Sequence, residues 1–345
     1  MIRNNKIVNE FSYLSVLIIM WIVGAFSTNN PDIKNYQLVY DYLSISNTVF
    51  YTDFEKGFSL LMKICTMLGF NYQGFLILIA TIELFLLNRL VKKLSVNPIL
   101  VLILFLFFPF FLEVVQIRNF LSFLIVANSA IFLLEGKNIK FIIGIMIASL
   151  FHISSLFYLT FLLVYLSKEK LLYLIISTTS IFLLLKQKLF LLFISVLPNG
   201  ERYLAYTNPS KKTTILLFIV FFFVNYILIK ELKKSAYALD NKYNHLTCIQ
   251  KNSLEFIEKI NIIIVISFIF ISIDINFFRL YRNVILFNYI LYSNTFFKGR
   301  IISNKNAIII QAAYFMFSIF VGIVFLYSTQ TTTVVKTILE SIKIF

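Results

Sequence analysis

The sequence predicts an all-α, polytopic integral membrane protein with its N-terminus inside. About 9–11 transmembrane segments, short half-spans included, follow from an average of about 20 apolar residues per span. Three observations carry this. Of the 345 residues, 59% are apolar or aromatic and 14% are charged, against about 45–50% and about 25% in soluble domains. The mean hydropathy is +0.87. The basic residues fall in short clusters between apolar runs, which is how loops orient spans in a bilayer. Together these exclude a soluble enzyme, a secreted disulfide scaffold and a single-anchor protein. The net charge of +15 would suggest nucleic acid in a soluble chain; here it reads as orientation, and no nucleic-acid partner is expected. The two cysteines, Cys65 and Cys248, form no CxxC, and the two histidines, His152 and His245, no HExxH. Neither a metal centre nor a cofactor is expected.

The elements follow in order. A short basic start, MIRNNK, precedes a first span around 13–26. Residues 28–56 form a polar outer loop with Asp32, Asp41, Asp53 and Glu55 and the tyrosines Tyr36, Tyr40 and Tyr42. The stretch 57–70 is amphipathic and short, so it lies at the interface or re-enters. A second span, 73–87, ends at Arg89, Lys92 and Lys93, an inside signal. Glu83 lies within it and must be protonated, paired or snorkelling. Spans over 98–114 and 119–134 meet at an outer hinge, 115–119, that carries Gln116 and Arg118. Glu113 precedes Arg118 by five residues and is placed to neutralise it.

Residues 141–166 run without a charge, with His152 in the middle. A single helix of that length would measure about 39 Å, long for a core of about 30 Å. The alternative is a hairpin of two half-spans turning at His152. The hairpin puts 18 Lys and Arg inside and 13 outside, whereas one span gives 16 and 15, so the orientation rule favours the hairpin. Thereafter 171–185 crosses outward, 186–212 is an outer loop with Arg202, and 213–229 crosses inward. A lysine-rich cytoplasmic loop covers 230–259. The segment 260–275 crosses outward to an outer turn, 276–282, with Arg279, Tyr281 and Arg282, and 283–296 and 306–327 complete the bundle.

This topology gathers Arg118, His152, Arg202, Arg279 and Arg282 on the outer side, beside the acidic loop. That face is net +5 and the inner face +10. Ionisable groups at a membrane boundary point to function. The planar arginine fork suits phosphate, and two or three on one cavity suit a diphosphate; each is equally read as snorkelling to headgroups. His152 is either a proton acceptor or donor to a hydroxyl or a residue satisfying the turn. Tyr36 and Tyr40, four apart, share a helix face and form either an interfacial belt or a platform for sugars.

Several short motifs carry a resemblance. QIRNFLSFLIV at 116–126 is followed by EGKNIKFIIGIMIASLFHISSLFYL at 135–159; FEKGFSLLMKI and NYQGFL lie upstream, and INFFRLYRN lies downstream. This pattern resembles the EpsG-type, Wzy-like exopolysaccharide polymerases over most of residues 30–290. Asn119 stands where glutamine is usual and Ser122 where alanine is common.

The resemblance implies a metal-independent membrane glycosyltransferase on the outer face of the bacterial cytoplasmic membrane. It would move a growing glycan from undecaprenyl diphosphate onto a lipid-linked oligosaccharide repeat unit, and it would need no nucleotide sugar. Arg118, Arg279, Arg282 and Arg202 would bind the diphosphate. His152, Asp32 or Glu55 would serve the acceptor hydroxyl, and Tyr36, Tyr40, Gln116 and Tyr281 would contact the glycan. The implied partners are the lipid-linked oligosaccharide, membrane lipid, a chain-length regulator and a flippase. Two alternatives stay open: a lipid-linked oligosaccharide flippase, and another lipid-diphosphate glycosyltransferase such as a ligase.

Overall fold

Helix α1 (Ile2–Phe26) lies against α4 (Tyr72–Leu94). In the computed structural model, which describes residues 2–51, 53–196, 212–296, 305–327 and 330–342, polar side chains tie the two apolar helices along their length. Tyr13 donates to Asn88 at 2.8 Å, Trp21 to Thr81 at 3.0 Å and Gln73 to the Ala25 carbonyl at 2.7 Å. Such bonds supply specificity where lipid removes the hydrophobic drive between helices. Asn71 caps α4 by accepting from the Gly74 N–H, and Lys92 and Lys93 occupy its last turn, where cations suit the helix dipole.

Among the described residues all regular structure is helical. Among the described residues, four helices are long and apolar enough to cross a membrane: Tyr72–Leu94, Ile117–Leu134, Ile215–Tyr243 and Lys305–Tyr327. Shorter apolar helices cover Glu10–Phe26, Pro98–Phe107, Asn138–Ser149 and Ile153–Tyr165. The fold is that of a polytopic helical membrane protein.

Several elements are broken where the sequence suggested one piece. The span at 98–114 is two helices, α5 (Pro98–Phe107) and α6 (Phe110–Val115), parted at Pro109, which has no N–H to continue the ladder. Helix α7 (Ile117–Leu134) follows at once and is the most enclosed of the long helices, 78% buried. The polar stretch 28–56 contains α2 (Ile33–Ile45), whose Ile33, Tyr36, Val39, Tyr40 and Leu43 face inward. With α3 (Lys56–Met67) it builds a second, smaller core against Phe75, Leu76 and Ile79 of α4 and Ile117 and Leu121 of α7.

The uncharged run 141–166 folds as α8 (Asn138–Ser149) and a 3-10 helix, Ile153–Tyr165, that turns back beside it. The Tyr165 hydroxyl reaches Asn138, at the start of α8, and the Leu133 carbonyl. A 3-10 helix repeats every three residues, and burial does the same here: Ser155, Tyr158 and Phe161, in line with His152, are buried, while the residues between them are half-covered.

The remaining helices are α9 (Lys168–Val196), α10 (Lys212–Tyr243), α11 (Cys248–Ile263), α12 (Ser267–Ile271), α13 (Phe278–Ser293), α14 (Lys305–Gly322) and α15 (Lys336–Ser341). The stretch 230–259 is therefore helical except for a short connection. Helix α10 continues through it to Tyr243, and Thr247 and Gln250 form a reciprocal capping box that starts α11. Lys168 and Lys233 both reach the buried carboxylate of Glu258, joining α9, α10 and α11. Deeper in the bundle, Asn225, Asn261 and Asn288 exchange hydrogen bonds between α10, α11 and α13.

Candidate functional site

Helix N-termini and a turn converge at one end of the bundle. Arg118 is the second residue of α7, Glu55 is the N-cap of α3, and His152 precedes the 3-10 helix. Glu55 joins the other two. Its Oε2 accepts from Arg118 Nη1 at 2.6 Å, and its Oε1 accepts from the Ile153 N–H at 3.1 Å and lies 2.8 Å from His152 Nδ1. An ionised carboxylate only accepts, so Nδ1 carries the proton in this contact. His152 Nε2 is left as an acceptor, buried and without a hydrogen-bond partner. Arg118 Nε and Ser155 Oγ are likewise buried without one. Three such atoms around one node call for an explanation beyond packing.

Aromatic rings hold Arg118 in place. Its guanidinium carbon is 4.1 Å from the Phe54 ring centre and 5.6 Å from that of Tyr36, positions in which the ring face attracts a cation. Tyr36 in turn packs on Phe54 and Phe58. Its phenol is pushed up by burial. Asp32 lies just before α2 and feels both Arg118 and Arg279. Burial raises its carboxyl, and the two arginines oppose the rise.

Burial also works to raise Glu55, but the His152 hydrogen bond, the Arg118 charge and the Ile153 N–H outweigh it and hold the carboxyl at about 2. His152 also titrates below its ordinary value. Burial pulls it down to about 4, Arg279 and Arg118 add to the lowering, and Glu55 opposes them. At neutral pH the node is thus a carboxylate, a guanidinium and a neutral imidazole.

Arg282 belongs to a different cluster, one turn further along α13 from Arg279. Its Nε donates to Glu113 Oε1 at 2.8 Å, and its Nη2 to Glu113 Oε2 at 3.2 Å and to Gln116 Oε1 at 2.9 Å. Asn119 donates to the same carboxylate at 3.4 Å, and Asn283 donates to the Tyr158 hydroxyl at 2.9 Å. The expectation that Glu113 neutralises Arg118 is corrected here. Glu113 sits on α6, before the break at Gln116, and faces α13, so its partner is Arg282 and that of Arg118 is Glu55.

The structure therefore brings together Asp32, Tyr36, Glu55, Arg118, His152 and Arg279. It sets the buried Arg282 apart from them, paired with Glu113 and bonded to the half-buried Gln116. Tyr40 is buried in the smaller core, donating to the Phe70 carbonyl at 2.7 Å, and Tyr281 is wedged between Phe222 and Phe278. Arg202 lies outside the described residues. Glu83 is buried, with Oε1 lacking a hydrogen-bond partner. Sequence reasoning passed over Phe54 and Ser155. The first was hidden in a stretch read as loop. The second needs the three-residue period, which an apolar run read as α-helical does not suggest.

No curated protein and no solved structure matches the chain. The profile of the EpsG family matches residues 10–337, nearly the whole length. With its helical membrane fold and a match of that extent, the chain belongs to the EpsG family, whose members are Wzy-like, polymerase-type membrane proteins of exopolysaccharide biosynthesis.

Proposed function

We propose that the protein is a polysaccharide polymerase acting at the outer face of the bacterial cytoplasmic membrane. It transfers a growing glycan from undecaprenyl diphosphate to a lipid-linked oligosaccharide repeat unit, working with a flippase and a chain-length regulator. The observation that carries this reading is the Glu55 carboxylate shared between Arg118 and His152. It sets a cation suited to a diphosphate beside an imidazole with an unengaged acceptor nitrogen.

The geometry supports these roles. Arg118 and Arg279, near the N-termini of α7 and α13, bind the donor diphosphate where helix dipoles also favour anions. Charge stabilisation of the leaving group is the main contribution to rate. The acceptor hydroxyl oxygen forms the new bond to the anomeric carbon as the bond from that carbon to the phosphate oxygen breaks. The electron pair leaves with undecaprenyl diphosphate, and the hydroxyl proton passes to His152 Nε2. Glu55 fixes the imidazole tautomer and orientation. A bound diphosphate offsets the two arginine charges that depress His152, so donor binding makes the imidazole a better base. Arg282, already engaged by Glu113, supports α13 rather than gripping substrate.

The test is polysaccharide analysis in the parent strain with alleles matched for membrane level. His152→Ala and Arg118→Ala should each leave single repeat units at the surface and no long chains. Loss of all surface repeat units would indicate a flippase instead, and a normal ladder would sink the site assignment.

A further inference from the structure

Two helix ends meet head-on beside the node. The Leu150 carbonyl, at the C-terminus of α8, accepts from the N–H groups of Gly57 at 2.8 Å and Phe58 at 3.3 Å, both in the first turn of α3. Last-turn carbonyls and first-turn amides lack partners within their own helices, and here each end satisfies the other. The approach is close enough to exclude a side chain. A Cβ on Gly57 would lie 2.7 Å from Leu150 Cβ, 2.8 Å from Leu150 O and 3.0 Å from Leu150 C. Two of these atoms are backbone, so no rotamer change relieves the overlap. The backbone at Gly57 is not left-handed, so the exclusion is one of contact alone.

Glu55 stands two residues before Gly57, and His152 two residues after Leu150. The 2.8 Å contact between their side chains therefore spans this joint, with the Ile153 N–H as a second tie. We propose that Gly57 is a positioning residue: its lack of a side chain lets α3 seat on α8 and so sets Glu55 against His152. Any larger residue drives the two helix ends apart and releases the imidazole from the carboxylate. The consequence for transfer rests on the reading of His152 as the acceptor-side group; the consequence for geometry does not.

The experiment uses the full chain in lipid nanodiscs with His245→Gln, which leaves His152 as the sole histidine of the two. Nitrogen NMR of the labelled imidazole reports which ring nitrogen carries the proton. Gly57 protein should show the Nδ1–H tautomer. Gly57→Ala should lose it in favour of Nε2–H and lower long-chain polymer at least tenfold at equal membrane level. Gly74→Ala is the control, since a Cβ there meets nothing nearer than 3.4 Å. If Gly57→Ala fails to accumulate, the comparison moves to Gly57→Ala/Leu150→Gly. That pair removes the 2.7 Å overlap, keeps the backbone ones, and alters a side chain that is 50% exposed. An unchanged tautomer overturns the positioning role. A changed tautomer with undiminished polymer overturns instead the assignment of His152 to the acceptor.

Discussion

Arg282 closes a two-point hydrogen bond onto Glu113, with 5% and 1% of the two side chains exposed. Breaking such a pair leaves a buried charge without compensation, which costs about 3–5 kcal/mol. Arg282→Ala should therefore lower the unfolding temperature in detergent and the membrane level together. Arg282→Met/Glu113→Leu should recover most of the loss, because removing both charges also removes the desolvation penalty. Stability equal to wild type in Arg282→Ala would show that the pair does not hold α13.

Arg118 differs in consequence. Glu55 keeps His152 and the Ile153 N–H when Arg118 is removed, and the node is partly open, with 20% of the Arg118 side chain exposed. Arg118→Ala should accumulate normally while transfer falls about 10²–10³-fold, the range for loss of one donor to developing charge. Arg118→Lys should recover little, since a point charge does not replace the planar fork. Turnover of a purified lipid-linked repeat unit measures both.

Acid should affect stability and turnover with the same sign. His152 stays neutral in the folded protein down to about pH 4, below the ordinary 6.5. The folded state thus takes up this proton later than the unfolded chain, and the associated stability is full above about pH 6.5 and lost as pH falls through 4. Glu55, held at about 2 against 4.5, adds stability that is full above pH 4.5 and lost as pH falls through 2. The rate under donor-limiting conditions should be level from about pH 8 to 5 and fall towards 4. In Glu55→Gln the acid limb should move lower, because the carboxylate that favours the imidazolium is gone. A limb near 6.5 in wild type would contradict the buried, neutral imidazole.

The Asn225, Asn261 and Asn288 knot predicts a purely structural phenotype. Asn261 bonds both other side chains and the Ile257 carbonyl. Asn261→Ala should reduce stability by about 1–2 kcal/mol, as for hydrogen bonds between membrane helices. Transfer per folded molecule, measured after thermal selection, should be unchanged.

What the sequence made legible was whatever depends on local pattern. The spans at α4, α7 and α14 are long apolar runs, and Lys92 and Lys93 mark the end of one of them. Arg118 and His152 stood out as polar residues in apolar surroundings. Their connection did not, because Glu55 lies 63 residues from Arg118 and 97 from His152, and Asp32 of the same stretch competed for the role. The polar outer side of α2 disguised a helix whose inner side builds a core. Conversely, the lysines at 230–259 suggested a loop, although Lys233 is drawn back onto Glu255 and Glu258 by the same helices that carry them.

The return leg after His152 has a period of three, and this constrains how it can change over time. Up to Phe161, the residues of its other two faces are half-covered, and point changes there leave the buried row of Ser155, Tyr158 and Phe161 in place. Length is another matter. One residue gained or lost between His152 and Tyr158 turns everything beyond it by about 120°, which takes Tyr158 from Asn283 and Phe161 from the core while every residue type is kept. Those two faces should therefore drift in composition while the buried row and the residue count stay fixed, a signature visible in natural variants and in insertion libraries alike.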